Sequence, residues 1–185
     1  WLYHNYRIGI GSIIADDMGL GKTIQIITFI LKLQETGELT AKKILIIVPA
    51  SVLLNWQREI ERFAPSLTAS IYHGQNRDWD RVIDSNPDIV LTTYSLARID
   101  SHLFAKKKWG CVITDEAQNI KNAETNQTKA VKSIKADHKI AMTGTPVENR
   151  LMDYWSITDF TMKNLLGSKT SFKKSFAIPI EKFND

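Results

Sequence analysis

Short runs of apolar, often β-branched residues alternate along the chain with longer amphipathic or polar stretches. The runs are Ser12–Ile14, Ile44–Val48, Ser70–Tyr72, Ile89–Thr93, Cys111–Thr114 and Lys139–Met142. Continuous apolar runs of this length predict strands buried on both faces. Between them, Thr23–Gln34, Val52–Phe63 and Glu124–Ile134 read as helices. The alternation predicts a three-layer α/β fold, a mostly parallel sheet with helices on both faces. Ligands of such sheets bind beyond the carboxyl ends of the strands. The polar residues with useful chemistry fall there: Asp16–Thr23, Pro49–Ser51, Thr92–Ser95, Asp115–Gln118 and Thr143–Pro146 each follow a strand.

After Pro146 the pattern changes. Glu148–Phe160 reads as a helix with Leu151, Tyr154, Trp155 and Ile157 on its apolar side. Residues 1–160 are read as one lobe, and residues 161–185 as an extension leaving its core.

The 185 residues are 43% hydrophobic and 24% charged, ordinary for a globular domain. No apolar run approaches the roughly 20 residues that span a bilayer. Trp1–Ile10 carries tyrosines, a His and an Arg where a leader peptide needs an apolar stretch. Without an initial Met, the sequence reads as a piece of a longer chain. The one cysteine, Cys111, cannot form an internal disulfide, in agreement with an intracellular, reducing compartment. His4, His73, His102 and His138 lack the spacing of a zinc site. The net charge of +4 permits an anionic partner without demanding one.

Candidate chemistry begins at Asp16-Asp17-Met18-Gly19-Leu20-Gly21-Lys22-Thr23, between a strand and a helix. Backbone N–H groups that cradle phosphate need glycines at close-approach positions, and a helix N-terminus adds a positive dipole end. Lys22 would reach the β- and γ-phosphates of a nucleotide, and the Thr23 hydroxyl would sit on Mg²⁺. The generic phosphate-loop pattern has Gly where this chain has Asp16. A second apolar strand ends in Asp115-Glu116-Ala117-Gln118. Adjacent acids at a strand end suit a metal–phosphate centre: Asp115 to hold Mg²⁺, Glu116 to polarise the attacking water. The third strand end, Thr143-Gly144-Thr145-Pro146, carries hydroxyl donors beside a glycine, suited to relay changes away from the γ-phosphate.

With these three motifs in order, the chain resembles the first RecA-like lobe of the Swi/Snf-related ATPases, a branch of helicase superfamily two. Ala15–Thr23 is similar to that family's phosphate loop, in which Asp at the position of Asp16 is usual. Asp115-Glu116-Ala117-Gln118 resembles its acidic box, and Thr143–Asn149 its TGTPxxN motif. Val48–Trp56 resembles motif Ia, and Thr92-Thr93-Tyr94 motif Ib. The resemblance runs from about Trp1 to Ile180. It implies ATP and Mg²⁺ as cofactors, DNA-dependent ATP hydrolysis, and translocation on duplex DNA that remodels DNA-bound proteins. Lys22, Asp115 and Glu116 are the implied catalytic residues; Gln118, Thr143, Gly144 and Thr145 couple that site to the DNA side. A glutamine motif that reads adenine would lie before Trp1. A second RecA-like lobe with arginine fingers would follow Asp185, so this piece alone is expected to be inactive.

The resemblance also implies that motifs Ia and Ib face DNA, with Ser51, Asn55, Thr93 and Tyr94 as neutral hydrogen-bonding partners of the backbone. Trp56 keeps helical spacing with Leu53 and Ile60 and is read as core rather than as a base-stacking platform. Lys106-Lys107-Lys108 reads as a solvated turn. Lys173 and Lys174, between Phe172 and Phe176, could meet DNA or the second lobe. Two alternatives stand beside the DNA-dependent ATPase: a nucleic-acid-binding module without catalysis, and an RNA-directed ATPase of the same superfamily. Intact Lys22, Thr23, Asp115 and Glu116 speak against the first; Asn55-Trp56 speaks against the second. The implied location is the cytoplasm or nucleoid of a bacterium, or the nucleus of a eukaryote.

Overall fold

The structure, a computed structural model, describes residues 1–17, 19–144 and 150–183. Its sheet contains β1 (Ser12–Ile14), β2 (Ile44–Val48), β3 (Ala69–Ile71), β4 (Ile89–Thr93), β5 (Trp109–Thr114) and β6 (Ala136–Met142). The order across the sheet is β1-β6-β5-β2-β4-β3, and every pairing is parallel. α1 (Leu2–Arg7) precedes β1; the connections carry α2 (Lys22–Glu35), α3 (Leu53–Phe63), α4 (Trp79–Asp84), α5 (Tyr94–Ile99), α6 (Ser101–Lys106) and α7 (Asn126–Ser133); α8 (Leu151–Thr161) and α9 (Lys169–Phe172) follow β6. The parallel α/β architecture read from the apolar runs is the one observed.

Side chains on a strand alternate between faces. Ile44, Ile46, Val48 and Ile113 pack with α2 and α3 on one face, while Leu45, Ile47, Val90 and Val112 pack with α5, α7 and α8 on the other. Every residue of β2, β4 and β5 is buried, which is why these strands read as unbroken apolar runs.

The boundaries differ where polar residues hide pairing. β6 starts at Ala136, three residues before the predicted run, because Ala136 pairs with Trp109 at the start of β5. α7 starts at Asn126, behind Thr125, whose hydroxyl accepts from the Thr128 amide at 3.2 Å. Beyond Thr161, described residues of the C-terminal stretch pack back on the lobe. Phe172 and Ala177 are buried, the Trp155 indole donates to the Gly167 carbonyl, and Glu181 accepts from the Leu151 amide. At the other end of α8, the chain passes so close to Gly11 that a Cβ there would meet the Thr161 carbonyl oxygen at 2.1 Å.

On β6, His138 is 3% exposed, and neither ring nitrogen has a hydrogen-bond partner among the described residues. Its ring meets Tyr6 edge-on at 5.5 Å. Burial pushes its pKa down to about 4, whereas the unfolded chain titrates near 6.5. The unfolded state therefore binds the extra proton, so stability present above about pH 6.5 is lost as pH falls towards 4. Up to about 3 kcal/mol is at stake. Thermal melts of wild type and His138→Leu across this range should show the gap shifting in favour of the variant at low pH. A gap independent of pH would rule the mechanism out.

Candidate active site

β1 ends at Ile14, and the chain turns through the glycine loop into α2. Gly19 and Gly21 have φ of +85° and +76°, conformations that side chains with a Cβ rarely adopt. Gly21 is the N-cap of α2; among the described residues no side chain caps the first turn, and that turn contains no acid. A helix that begins with Lys22 and leaves its first N–H groups uncapped is arranged for an external anion. The Lys22 ammonium donates to the carbonyls of Asp16 and Asp17 at 2.7 and 2.9 Å, which holds it over its own loop. Asp16 is held in turn by the Gln25 side-chain amide at 2.8 Å. This contact gives Asp16 a structural use at the position where generic phosphate loops have glycine. Met18 lies outside the described residues.

The acid pair approaches from β5. The Asp115 amide donates to Ile47 of β2, and the Thr143 amide to Ile14 of β1. These bonds continue the ladders past the strand ends and place both motifs at the rim where α2 begins. The Asp115 carboxylate is held at both oxygens: Oδ1 accepts from the Glu116 amide and Oδ2 from the Trp56 indole, each at 2.9 Å. Burial pushes the Asp115 pKa up, and these two donors pull against it. Glu116 has φ 49° and ψ 58°, left-handed for a residue with a Cβ. Such backbone costs about 1–3 kcal/mol and persists where the surroundings enforce it. Here the Asn119 amide and side chain both donate to the Glu116 carbonyl, and the Tyr94 hydroxyl donates to the Asp115 carbonyl at 2.6 Å.

A hydrogen-bonded chain leads away from Glu116. The Gln118 amide donates to its carboxylate at 2.7 Å, and the buried Thr143 hydroxyl donates to the Gln118 carbonyl at 3.2 Å. Three of the residues expected to couple and catalyse are thus in direct contact. Gly144 follows Thr143 in a bend, and Thr145 lies outside the described residues.

Lys22, Thr23, Asp115 and Glu116 line one cleft of about 590 Å³, whose far wall is α3 with Asn55, Arg58 and Arg62. Carboxylate and hydroxyl oxygens beside an ammonium suit a hard cation carrying phosphates. Asp115 fits this role, since each of its oxygens has one N–H donor and retains lone pairs. The two arginines were not singled out from sequence. Their signal was the spacing of Asn55, Arg58 and Arg62 on the side of α3 opposite buried Leu53, Trp56 and Ile60.

The residues expected to face DNA divide. Ser51 and Asn55 are exposed, and Asn55 donates to Glu59 at 2.7 Å. Thr93 and Tyr94 are 2% and 4% exposed. The Thr93 hydroxyl caps α5 and the Tyr94 hydroxyl donates to the Asp115 carbonyl, so both hydroxyls are turned into the lobe. The motif Ib side chains are buried because α5 begins directly at the end of β4 and packs against the sheet. Trp56 is core, 1% exposed, but it also serves the acid pair. Of the three lysines, Lys106 and Lys108 are exposed, Lys108 pairs with Asp137 at 2.7 Å, and Lys107 lies over the Trp109 ring.

A parallel RecA-like sheet, a glycine loop leading into a helix, and an acid pair two strands away define the first lobe of a helicase-like ATPase. Comparison with known proteins narrows the class: residues 1–185 match the SNF2-related domain, and the chain belongs to that family. It is 46% identical over 188 residues to YwqA of Bacillus subtilis, which bears the name of an ATP-dependent helicase/translocase. That match covers 100% of this chain and 20% of YwqA. It is 37% identical to the chromatin-remodeling ATPase INO80 of Schizosaccharomyces pombe, over 98% of this chain and 12% of that protein. The SWI2/SNF2 ATPase core of Sulfolobus solfataricus, solved in complex with double-stranded DNA, superposes with a TM-score of 0.90 at 42% identity. It is matched by 98% of this chain and over 38% of its own. The chain therefore spans a fifth or less of these two curated relatives. These two relatives are named as an ATP-dependent helicase/translocase and as a chromatin-remodeling ATPase.

Proposed function

We propose that this chain is the ATP-binding lobe of a DNA-dependent ATPase that translocates on duplex DNA and remodels protein–DNA complexes. The carrying observation is the single cleft in which Lys22, Thr23, Asp115 and Glu116 converge. The loop amides and Lys22 bind the phosphates, and Thr23 and Asp115 would hold Mg²⁺. The ion's part is to neutralise charge on phosphate oxygens. Glu116 orients and polarises the attacking water and accepts its proton. Loss or gain of the γ-phosphate then shifts Glu116, and through Gln118 reaches Thr143 and the segment that follows.

Duplex DNA is supported as the partner by the Sulfolobus complex, and Ser51 and Asn55 are the exposed candidates to meet it. The completing partner is a second RecA-like lobe. Leu20 and Ile24 beside the phosphate loop and Phe63 at the cleft wall are 64%, 45% and 41% exposed, an apolar rim suited to a covering surface.

Lys22→Ala in the full-length protein tests the site. Among the described residues Lys22 hydrogen-bonds only within its own loop, so its removal should leave the ligand-free melting temperature close to wild type. Turnover should fall about 10²–10³, the usual effect of removing one donor aimed at developing charge. A sharp fall in melting temperature, or retained turnover, would refute the assignment. Turnover assays with duplex DNA and with RNA in parallel should show stimulation by DNA; stimulation by RNA alone would overturn the choice of partner.

A further inference from the structure

The indole of Trp56 is buried at 1% exposure among the side chains that join α3 to the sheet. An apolar side chain of similar size would fill that space equally well. Instead its N–H points at Asp115, 59 positions later in the chain, with Nε1 2.9 Å from Oδ2. The other oxygen, Oδ1, is held at the same distance by the Glu116 amide. A carboxylate with one fixed donor on each oxygen cannot rotate about its Cβ–Cγ bond without breaking a bond. From the other face of the sheet, the Tyr94 hydroxyl fixes the backbone carbonyl of the same residue.

We infer that Trp56 is a positioning residue for the metal side of the cleft: its N–H orients the Asp115 carboxylate so that the remaining lone pairs face the site between Thr23 and Glu116. The inference rests on the assignment of Asp115 as the Mg²⁺-holding acid. It also ties that acid to α3, whose exposed side carries Asn55 and Arg58. A displacement of α3 is then transmitted to the Asp115 oxygen through one hydrogen bond. Donors of this kind behind a metal-binding carboxylate commonly change metal affinity by about 10–100-fold when removed.

The test replaces Trp56, in the full-length protein, with the tryptophan isostere that carries sulfur in place of the indole N–H. Shape is kept and the donor is lost. Trp56→Phe serves as the simpler variant, and the isostere decides the matter should Phe leave a destabilising gap. Binding of a fluorescent ATP analogue is titrated against Mg²⁺, and repeated in EDTA. The Mg²⁺ concentration for half-maximal tight binding should rise about tenfold or more. Affinity in EDTA and the ligand-free melting temperature of the isostere protein should stay at wild-type values. An unchanged Mg²⁺ dependence would overturn the inference. So would a parallel loss of binding with and without Mg²⁺, which would make Trp56 a packing residue only. Wild-type protein whose nucleotide binding ignores Mg²⁺ would overturn both this inference and the assignment of Asp115 beneath it.

Discussion

Glu116→Gln in the full-length protein should bind ATP normally and hydrolyse it about 10²–10⁴-fold more slowly than wild type. The substitution keeps the side-chain shape, and its carbonyl can still accept from the Gln118 amide that now bonds Glu116 at 2.7 Å. The left-handed backbone at this position is enforced by Asn119 and by the neighbouring Tyr94 contact, which the change leaves untouched. Asp115, held separately by Trp56 and by the backbone amide, keeps its oxygens in place. Only the carboxylate to which activation of the water is assigned is lost. The variant should therefore linger with ATP bound and hold DNA at least as firmly as wild type. Nucleotide titration paired with turnover at saturating DNA decides the assignment. Loss of both binding and turnover would place Glu116 among the metal-holding residues, and near-normal turnover would mean that another group activates the water.

The 185-residue chain by itself should turn over ATP about 10³–10⁵-fold more slowly than the longer protein, the range by which an arginine supplied in trans accelerates phosphoryl transfer. Among the described residues, the cleft is lined by the glycine loop, the acid pair, α3 and Met142. The exposed rim of Leu20, Ile24 and Phe63 leaves it open to solvent, where charge on the γ-phosphate is poorly compensated. Nucleotide should bind weakly through Lys22 and the loop amides. Steady-state assays with and without duplex DNA, on both lengths of protein, measure the difference. DNA-stimulated turnover by the short chain at the rate of the long one would show that no second lobe is needed.

The phosphate loop, the acid pair and the strand-end threonine motif were legible because each needs particular residue types in consecutive positions at a strand end. The roles of Trp56, Tyr94 and Gln118 were only partly legible, because each is set by a partner distant in the chain. Trp56 has the spacing of a core residue and is one, yet its N–H serves an acid 59 positions away. Tyr94 follows a strand as a nucleic-acid contact would, yet its hydroxyl turns inward to the Asp115 carbonyl. Gln118 was placed with the coupling residues, and the structure supplies both of its partners, Glu116 and Thr143.

The sequence by itself determined the α/β class, the apolar centre of each buried strand though not its first residues, and the identity of the loop and acid motifs, since burial on both faces and phosphate chemistry act on local residue choice. Strand order was decided only in the tertiary structure. β5 lies between β6 and β2, and β1 pairs with β6, so motifs more than 90 positions apart in the chain meet at one rim. Side-chain direction was decided there too: whether a hydroxyl or indole N–H at a strand end faces solvent or a buried acceptor depends on which helix covers it. An unmet buried polar group costs about 1–3 kcal/mol, so these side chains turned to the nearest acceptor that the packing provided, and the packing is a property of the whole lobe.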